Sequence, residues 1–264
     1  MDYNVSMHAA IRVQPGPHSA VPYDFMALER WEKSASGSAQ AGQRLRTWLL
    51  QGDPSAPLDL GQCDLRSCPP LPSEVQDLCL GFNPSLDTLP QPLPAALKKL
   101  NINFCNFTQL PHQWPVGLIE LWFVTNQVTE LPDTLPAGLQ VICATNNRIS
   151  SLPRQWPDGL QKLYLATNRI AELDPGLLSL PNCIYLNLCN NPLSDASEAV
   201  LHERTSAPAY AGPTVKIGFV GERIDHSKVL PASREPELRK SEGPPIIHRR
   251  NGPVQYVNPH SYNS

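Results

Sequence analysis

Apolar residues recur along the middle of the chain with a period of about 21 residues, and each unit follows the order L-x-x-L-x-L-x-x-N-x-L. The units begin at Val75, Leu97, Leu118, Leu139, Leu160 and Cys183. Their Asn position is filled by Asn83, Cys105, Asn126, Asn147, Asn168 and Asn191. Within each unit the segment x-L-x-L-x alternates with period two, which predicts a short strand with one face inward. Stacked units would form one parallel sheet.

The segments between these strands predict the other side of the array. LPHQWPVG, LPDTLPAG and LPRQWPDG each hold two prolines, which forbid a regular helix and favour extended backbone. Trp114 and Trp156 share their repeat position with Leu93 and Leu135, so we interpret them as packing residues. This pattern is the leucine-rich-repeat signature. It predicts a solenoid with short parallel strands on a concave face, an extended proline-rich convex side and an Asn ladder that satisfies backbone groups of the turns.

Segments at both ends of the array are predicted to cover its apolar ends. Amphipathic patterns at 23–36 and 38–51 predict an N-terminal helical hairpin cap. Ser194 is placed to cap a helix through Arg204, and Val215–Val220 reads as a strand. The resulting organisation is a disordered N-terminal segment 1–22 that is a possible secretion signal, a helical cap 23–52, repeats 53–193, a C-terminal cap or junction 194–220, and a disordered tail 221–264.

The composition of the chain argues against several functional classes. A net charge of -3 gives no reason to expect nucleic acid or an anionic membrane as partner, and no run reaches the length of a membrane span. The seven cysteines all fall on repeat positions, which indicates a reducing compartment rather than a disulfide framework. The seven histidines form no close pair, so no metal site or cofactor is expected. Asp225-His226-Ser227 lies in the predicted disordered tail, which cannot hold a catalytic triad.

The concave face is the candidate binding surface, because outward positions of the strands are free of core packing. Trp122 and Tyr164 are the two aromatic residues of its central column, and two interpretations stay open: anchors for a partner, or packing over neighbouring side chains. The candidate partner-binding residues are Asp59, Cys79, Lys99, Asn101, Asn103, Glu120, Trp122, Val124, Cys143, Thr145, Lys162, Tyr164, Tyr185 and Asn187.

Three stretches resemble a known family. RWEKSASGSAQAGQRLRTWL leading into LDLGQCDLRSCPPLP, the rhythm LPxxLPxGLxxLxxxxNxL, and NPLSDASEAVLHERTSAPAYAGPTVKIGFV are similar to bacterial type III secreted leucine-rich-repeat effectors of the IpaH/SspH ubiquitin-ligase type. YopM proteins are the related members without a ligase domain. The resemblance implies a virulence protein that a bacterium secretes without a Sec signal and that acts in the cytoplasm or nucleus of a host cell.

The departure from this family concerns catalysis. The ligases carry a catalytic Cys-x-Asp motif in a helical domain after the junction, whereas no cysteine follows Val220 here and no earlier cysteine is followed by Asp two residues later. We therefore expect a non-enzymatic effector that binds a host protein. The alternative is the substrate-recognition portion of an E3 ubiquitin-protein ligase, present here as a truncated form or a fragment. An extracellular receptor ectodomain is disfavoured, because the first residues lack a signal peptide and the array lacks cysteine-paired caps.

Overall fold

A parallel sheet of eight short strands runs through the computed structural model, which describes residues 23–34 and 38–218. The strands are β1 Leu58–Asp59, β2 Asp77–Cys79, β3 Lys99–Asn101, β4 Glu120–Trp122, β5 Val141–Cys143, β6 Lys162–Tyr164, β7 Tyr185–Asn187 and β8 Thr214–Lys216. They pair in chain order, and each central apolar residue is in register with the next, as in Leu100 with Leu121 and Leu121 with Ile142. The predicted leucine-rich-repeat solenoid is confirmed.

The core is a continuous stack of the inward-facing residues. The two apolar residues of each x-L-x-L-x segment are buried, as the alternation predicts: Leu100/Ile102, Leu121/Phe123, Ile142/Ala144, Leu163/Leu165 and Leu186/Leu188. Burying a side chain of this size contributes about 1.5–3 kcal/mol, so the repeated pattern supplies most of the driving force for stacking. Because each unit covers the apolar side of its neighbours, the two ends of the stack need other cover.

An asparagine ladder joins successive turns, as predicted. Asn147 is representative: its Oδ1 accepts from the backbone N–H of Val128 at 3.1 Å, and its Nδ2 donates to the carbonyls of Phe123 at 2.9 Å and Ala144 at 3.1 Å. Asn126 and Asn168 repeat this arrangement one unit earlier and one unit later. The side chains are buried, so they satisfy backbone groups that water does not reach.

The convex side is mostly extended, in agreement with its prolines. Trp114 and Trp156 pack against the core as partly buried residues, which confirms their predicted role. An isolated parallel bridge pairs Glu130 with Ser151 after the turns. The longer unit from Leu160 departs from the extended pattern, because Pro175–Ser179 forms a 3₁₀ helix that Asp174 caps.

Two helices cover the β1 end of the sheet. Helix α1 spans Phe25–Glu32, shorter than the predicted 23–36, and α2 spans Ala39–Gln51, where Gly52 ends it with φ +67°. A bidentate ion pair joins the helices: Arg46 Nη1 donates to Glu32 Oε1 at 2.5 Å, and Arg46 Nη2 donates to Glu32 Oε2 at 2.7 Å. Arg44 of α2 donates to the carbonyl of Gly61 at 2.9 Å, which satisfies an edge acceptor of the sheet. The predicted hairpin cap is confirmed.

A third helix and the last strand lie at the other end. Helix α3 spans Asp195–Thr205, and the Ser194 side chain accepts from the backbone N–H of Ser197 at 3.2 Å, as expected of its cap. Strand β8 begins one residue before the predicted 215–220 and ends at Lys216. The predictions for 1–22 and for 221–264 lie outside the described residues. None of the described helices is both long and apolar enough to span a membrane.

Candidate functional site

The outward side chains of the strands form columns on the concave face. The first column contains Asp77, Lys99, Glu120, Val141, Lys162, Tyr185 and Thr214, and the second contains Asp59, Cys79, Asn101, Trp122, Cys143, Tyr164, Asn187 and Lys216. Adjacent strands lie about 4.8 Å apart, so side chains in one column contact those of the next strand. The periodicity therefore brings the sequence-predicted candidates together on one surface.

Two of the predicted partner-binding residues are not accessible to a partner. Cys143 is 0% exposed although its side chain lies on the outward side of β5. It is in register with Trp122 and Tyr164 on the flanking strands, and we infer that these larger side chains cover the thiol. Asn103 is 6% exposed, and its Oδ1 accepts from the backbone N–H of Val124 at 2.6 Å. The prediction that Cys143 and Asn103 line an open binding surface is wrong on this point.

Three polar candidates on the concave face also form hydrogen bonds with the backbone. Each accepts a hydrogen bond from the backbone N–H two residues later: Asp59 from Gly61 at 2.8 Å, Asn101 from Asn103 at 3.0 Å, and Asn187 from Cys189 at 3.1 Å. Such bonds hold the chain where each strand ends. They orient these side chains and use part of their hydrogen-bonding capacity.

A charged network fixes the centre of the concave face. Lys99 Nζ lies 2.9 Å from Glu120 Oε1, and the Trp122 indole N–H donates to Glu120 Oε2 at 3.1 Å. The hydrogen bond that Lys99 donates to Glu120 raises the pKa of Lys99, so the lysine stays charged. Trp122 is half-buried, and its indole is held in one orientation while part of it faces solvent. It therefore packs on the sheet and also presents an aromatic surface.

Two aromatic rings and a lysine ammonium group lie close together on the concave face between β6 and β8. The rings of Tyr164 and Tyr185 lie 5.1 Å apart with an interplanar angle of 45°, and Lys216 Nζ lies 5.5 Å from the centre of the Tyr185 ring. Burial raises the pKa of both tyrosines to about 12, so their hydroxyls are protonated at neutral pH. The sequence prediction missed Lys216. Alternation around the inward-facing Val215 was the signal that could have placed it on the concave face.

The raised pKa values of the seven cysteine thiols make them poor nucleophiles. Burial raises the pKa of Cys68, Cys79 and Cys143 to about 12 and that of Cys105 and Cys183 to about 11. The pKa values of Cys63 and Cys189 are also raised by burial. A reactive cysteine needs a lowered pKa, because the thiolate is the nucleophile. Over residues 23–34 and 38–218, no three His, Cys, Asp or Glu side chains group as ligands of a metal ion.

Comparison with known proteins places the chain beside bacterial leucine-rich-repeat effectors. The leucine-rich-repeat domain of a Shigella effector aligns over 75% of this chain and 99% of its own, with 27% identity and a TM-score of 0.56. YopM from Yersinia pestis aligns over 64% of this chain and 53% of its own, with 26% identity and a TM-score of 0.49. YopM from Yersinia enterocolitica gives 26% identity and a TM-score of 0.48, and this chain covers 42% of its length. No protein-family model and no curated protein matches.

Proposed function

We propose that this protein is a bacterial effector that binds a host protein through the concave face of its repeats and performs no covalent chemistry of its own. The observation that carries the proposal is the Lys99–Glu120–Trp122 network, which holds a half-exposed indole at the centre of the sheet. Tryptophan is enriched among residues that dominate binding energy, and a side chain already held in its bound orientation loses less entropy on association.

The similarity to a Shigella effector repeat domain supports the same proposal at the level of protein class. Effectors of this class act on host proteins, so we place the site of action inside a host cell, after secretion without a Sec signal. A leucine-rich-repeat solenoid is an extended surface that suits recognition of a macromolecule.

The alternative is that the repeats select the substrate of an E3 ubiquitin-protein ligase. What favours it is that the aligned Shigella structure is one domain of an effector. In this chain each cysteine has a raised pKa, which opposes the formation of a ubiquitin thioester. Incubation with ubiquitin, E1 and a panel of E2 enzymes should therefore give no thiol-sensitive ubiquitin adduct. An adduct on any of the seven cysteines would favour the ligase.

The binding proposal is tested by quantitative capture from host-cell lysate. Wild-type protein and Trp122→Ala are immobilised at equal density, and bound proteins are quantified by mass spectrometry. Val116→Ala is the matched control, because Val116 is 91% exposed and lies outside the strands. We expect a host protein whose recovery falls at least tenfold with Trp122→Ala and is unchanged with Val116→Ala. Equal recovery with all three proteins would contradict the role of the concave face.

A further inference from the structure

Two arginines occupy the same repeat position on the side of the array where each turn leaves the concave sheet. Arg148 and Arg169 each follow the buried asparagine of their unit, and both are exposed. The backbone N–H of Arg169 donates to the carbonyl of Ile149, the residue after Arg148, at 2.8 Å, so the two units are joined directly here. The two arginines are therefore neighbours, about 4.8 Å apart at the backbone.

Neither guanidinium group has a partner among residues 23–34 and 38–218. In the two preceding units the same position is filled by Asn106 and Gln127, and the Gln127 side chain donates to that of Asn106. The arginines carry like charges and cannot pair with each other in this way. Neither donates a hydrogen bond, and the ion pairs in this part of the chain join other groups: Arg30–Asp24, Arg44–Asp59, Arg46–Glu32 and Lys99–Glu120.

The surface around the two arginines is uncharged. The side chains two positions away along the chain, or one unit to the side, are those of Asn146, Ser150, Thr167, Ala171, Gln127 and Pro192. A guanidinium group binds a carboxylate by two parallel charge-assisted hydrogen bonds. Proteins that bind duplex DNA typically neutralise more charges, roughly 6–10 phosphates. Two arginines on a chain of net charge -3 therefore suit an acidic side chain of a protein partner.

A segment that lies on the Trp122 indole can also reach the arginines. The indole N–H is already used by Glu120, so Trp122 offers a partner its ring surface. Cys143 is the register partner of Trp122 on β5, and Arg148 follows five residues later. Five residues of extended chain span at most about 18 Å. One extended segment of about six residues can therefore contact both the indole and the arginines.

We propose that Arg148 and Arg169 bind the carboxylate of a glutamate or aspartate side chain of the partner protein. The acidic residue lies within about six positions of the apolar residue that contacts the Trp122 indole. This inference rests on the proposed function and specifies the chemistry of its partner.

Selection from a random 12-residue peptide library tests the proposal without knowledge of the partner. The baits are the wild-type protein, the double variant Arg148→Glu, Arg169→Glu, and the control Arg154→Glu, which changes an exposed arginine of the convex side. We expect the wild type and the control to select peptides with an apolar residue and an acidic residue within six positions. The double variant should lose the acidic preference and keep the apolar one. No acidic enrichment by the wild type, or the same enrichment by the double variant, would overturn the proposal.

Neutral variants separate loss of the contact from charge repulsion. Arg148→Gln and Arg169→Gln introduce the residue that Gln127 provides one unit earlier, so the fold should be kept, as circular dichroism checks. Together they should weaken a selected peptide at least tenfold, because hydrogen bonds between charged groups are lost, whereas Arg154→Gln should not. Unchanged affinity would contradict the assigned contact. A phosphoserine in place of the selected acidic residue should improve binding less than tenfold, and a larger gain would show that the arginines recognise phosphate instead.

Capture of the host protein distinguishes this inference from the proposed function. If Trp122→Ala abolishes capture and the double glutamate variant captures normally, the concave face binds the partner but the two arginines do not. If both proteins lose capture, both proposals are supported. If neither does, both are wrong.

Discussion

Replacement of Asn147 by Ala should destabilise the protein far more than replacement of Cys105, which occupies the same repeat position. Asn147 Oδ1 accepts from the Val128 N–H, and both residues are buried. A buried N–H left without a partner costs about 1–3 kcal/mol. The carbonyls of Phe123 and Ala144 lose a donor but keep those of Asn126 and Asn168, so this loss adds about 1 kcal/mol.

The total is a decrease of about 2–4 kcal/mol in the free energy of unfolding, which corresponds to a decrease of roughly 5–15 °C in Tm for an array of this size. Thermal and urea unfolding followed by circular dichroism give both quantities. Asn147→Cys should cost nearly as much as Asn147→Ala, because a thiol is a weak acceptor and does not replace the amide oxygen.

Cys105→Ala is the matched control, and the local backbone explains why a cysteine suffices there. The preceding turn contains one extra residue, and the Leu86 N–H donates to the carbonyl of Asn83 at 2.9 Å. The N–H that an asparagine would serve is already satisfied, while the Cys105 thiol lies 3.4 Å from the Leu80 carbonyl, which Asn83 also contacts. The expected cost is below about 1 kcal/mol. Equal decreases in the free energy of unfolding at the two positions would contradict this prediction.

Two other predictions concern the thiols. Trp122→Ala should raise the rate of iodoacetamide alkylation of Cys143 at least tenfold, measured by peptide mass spectrometry with half-buried Cys189 as internal reference; no change would show that the indole does not cover the thiol. Because burial raises the pKa of Cys143 from its ordinary value near 9 to about 12, the unfolded chain loses this proton first. The free energy of unfolding should therefore be fully retained below pH 9 and decrease towards pH 12, and a constant value across that range would contradict the raised pKa.

Sequence periodicity predicted the sheet, the core and the ladder because these features depend on which side of the chain each residue faces. A Leu in every unit must be buried, and alternation fixes its neighbours as outward. The helical caps followed from the same requirement, since a stacked array exposes apolar ends. Ser194 supplied a local signal, and it caps the helix that follows it.

Accessibility on the concave face could not be predicted in this way, because it depends on the size of side chains in neighbouring strands. Alternation placed Cys143 outward, yet larger residues on both sides bury it. The turns gave a second surprise. Phe82 and Phe104 adopt φ of +61° and +55°, a region that bulky residues rarely occupy, and their rings stack 4.5 Å apart. Repeat geometry imposes this backbone, whereas local preference argues against it.

Site-specific photo-crosslinking tests whether the concave face binds the partner. In two separate variants, the photoreactive amino acid benzoylphenylalanine replaces Thr145 or Arg154. Thr145 is half-buried and follows β5 on the concave face, whereas Arg154 is exposed on the convex side. After irradiation in host-cell lysate, we expect one host protein to be crosslinked from Thr145 at least tenfold more than from Arg154. Crosslinking mainly from Arg154, or none from Thr145, would contradict this expectation.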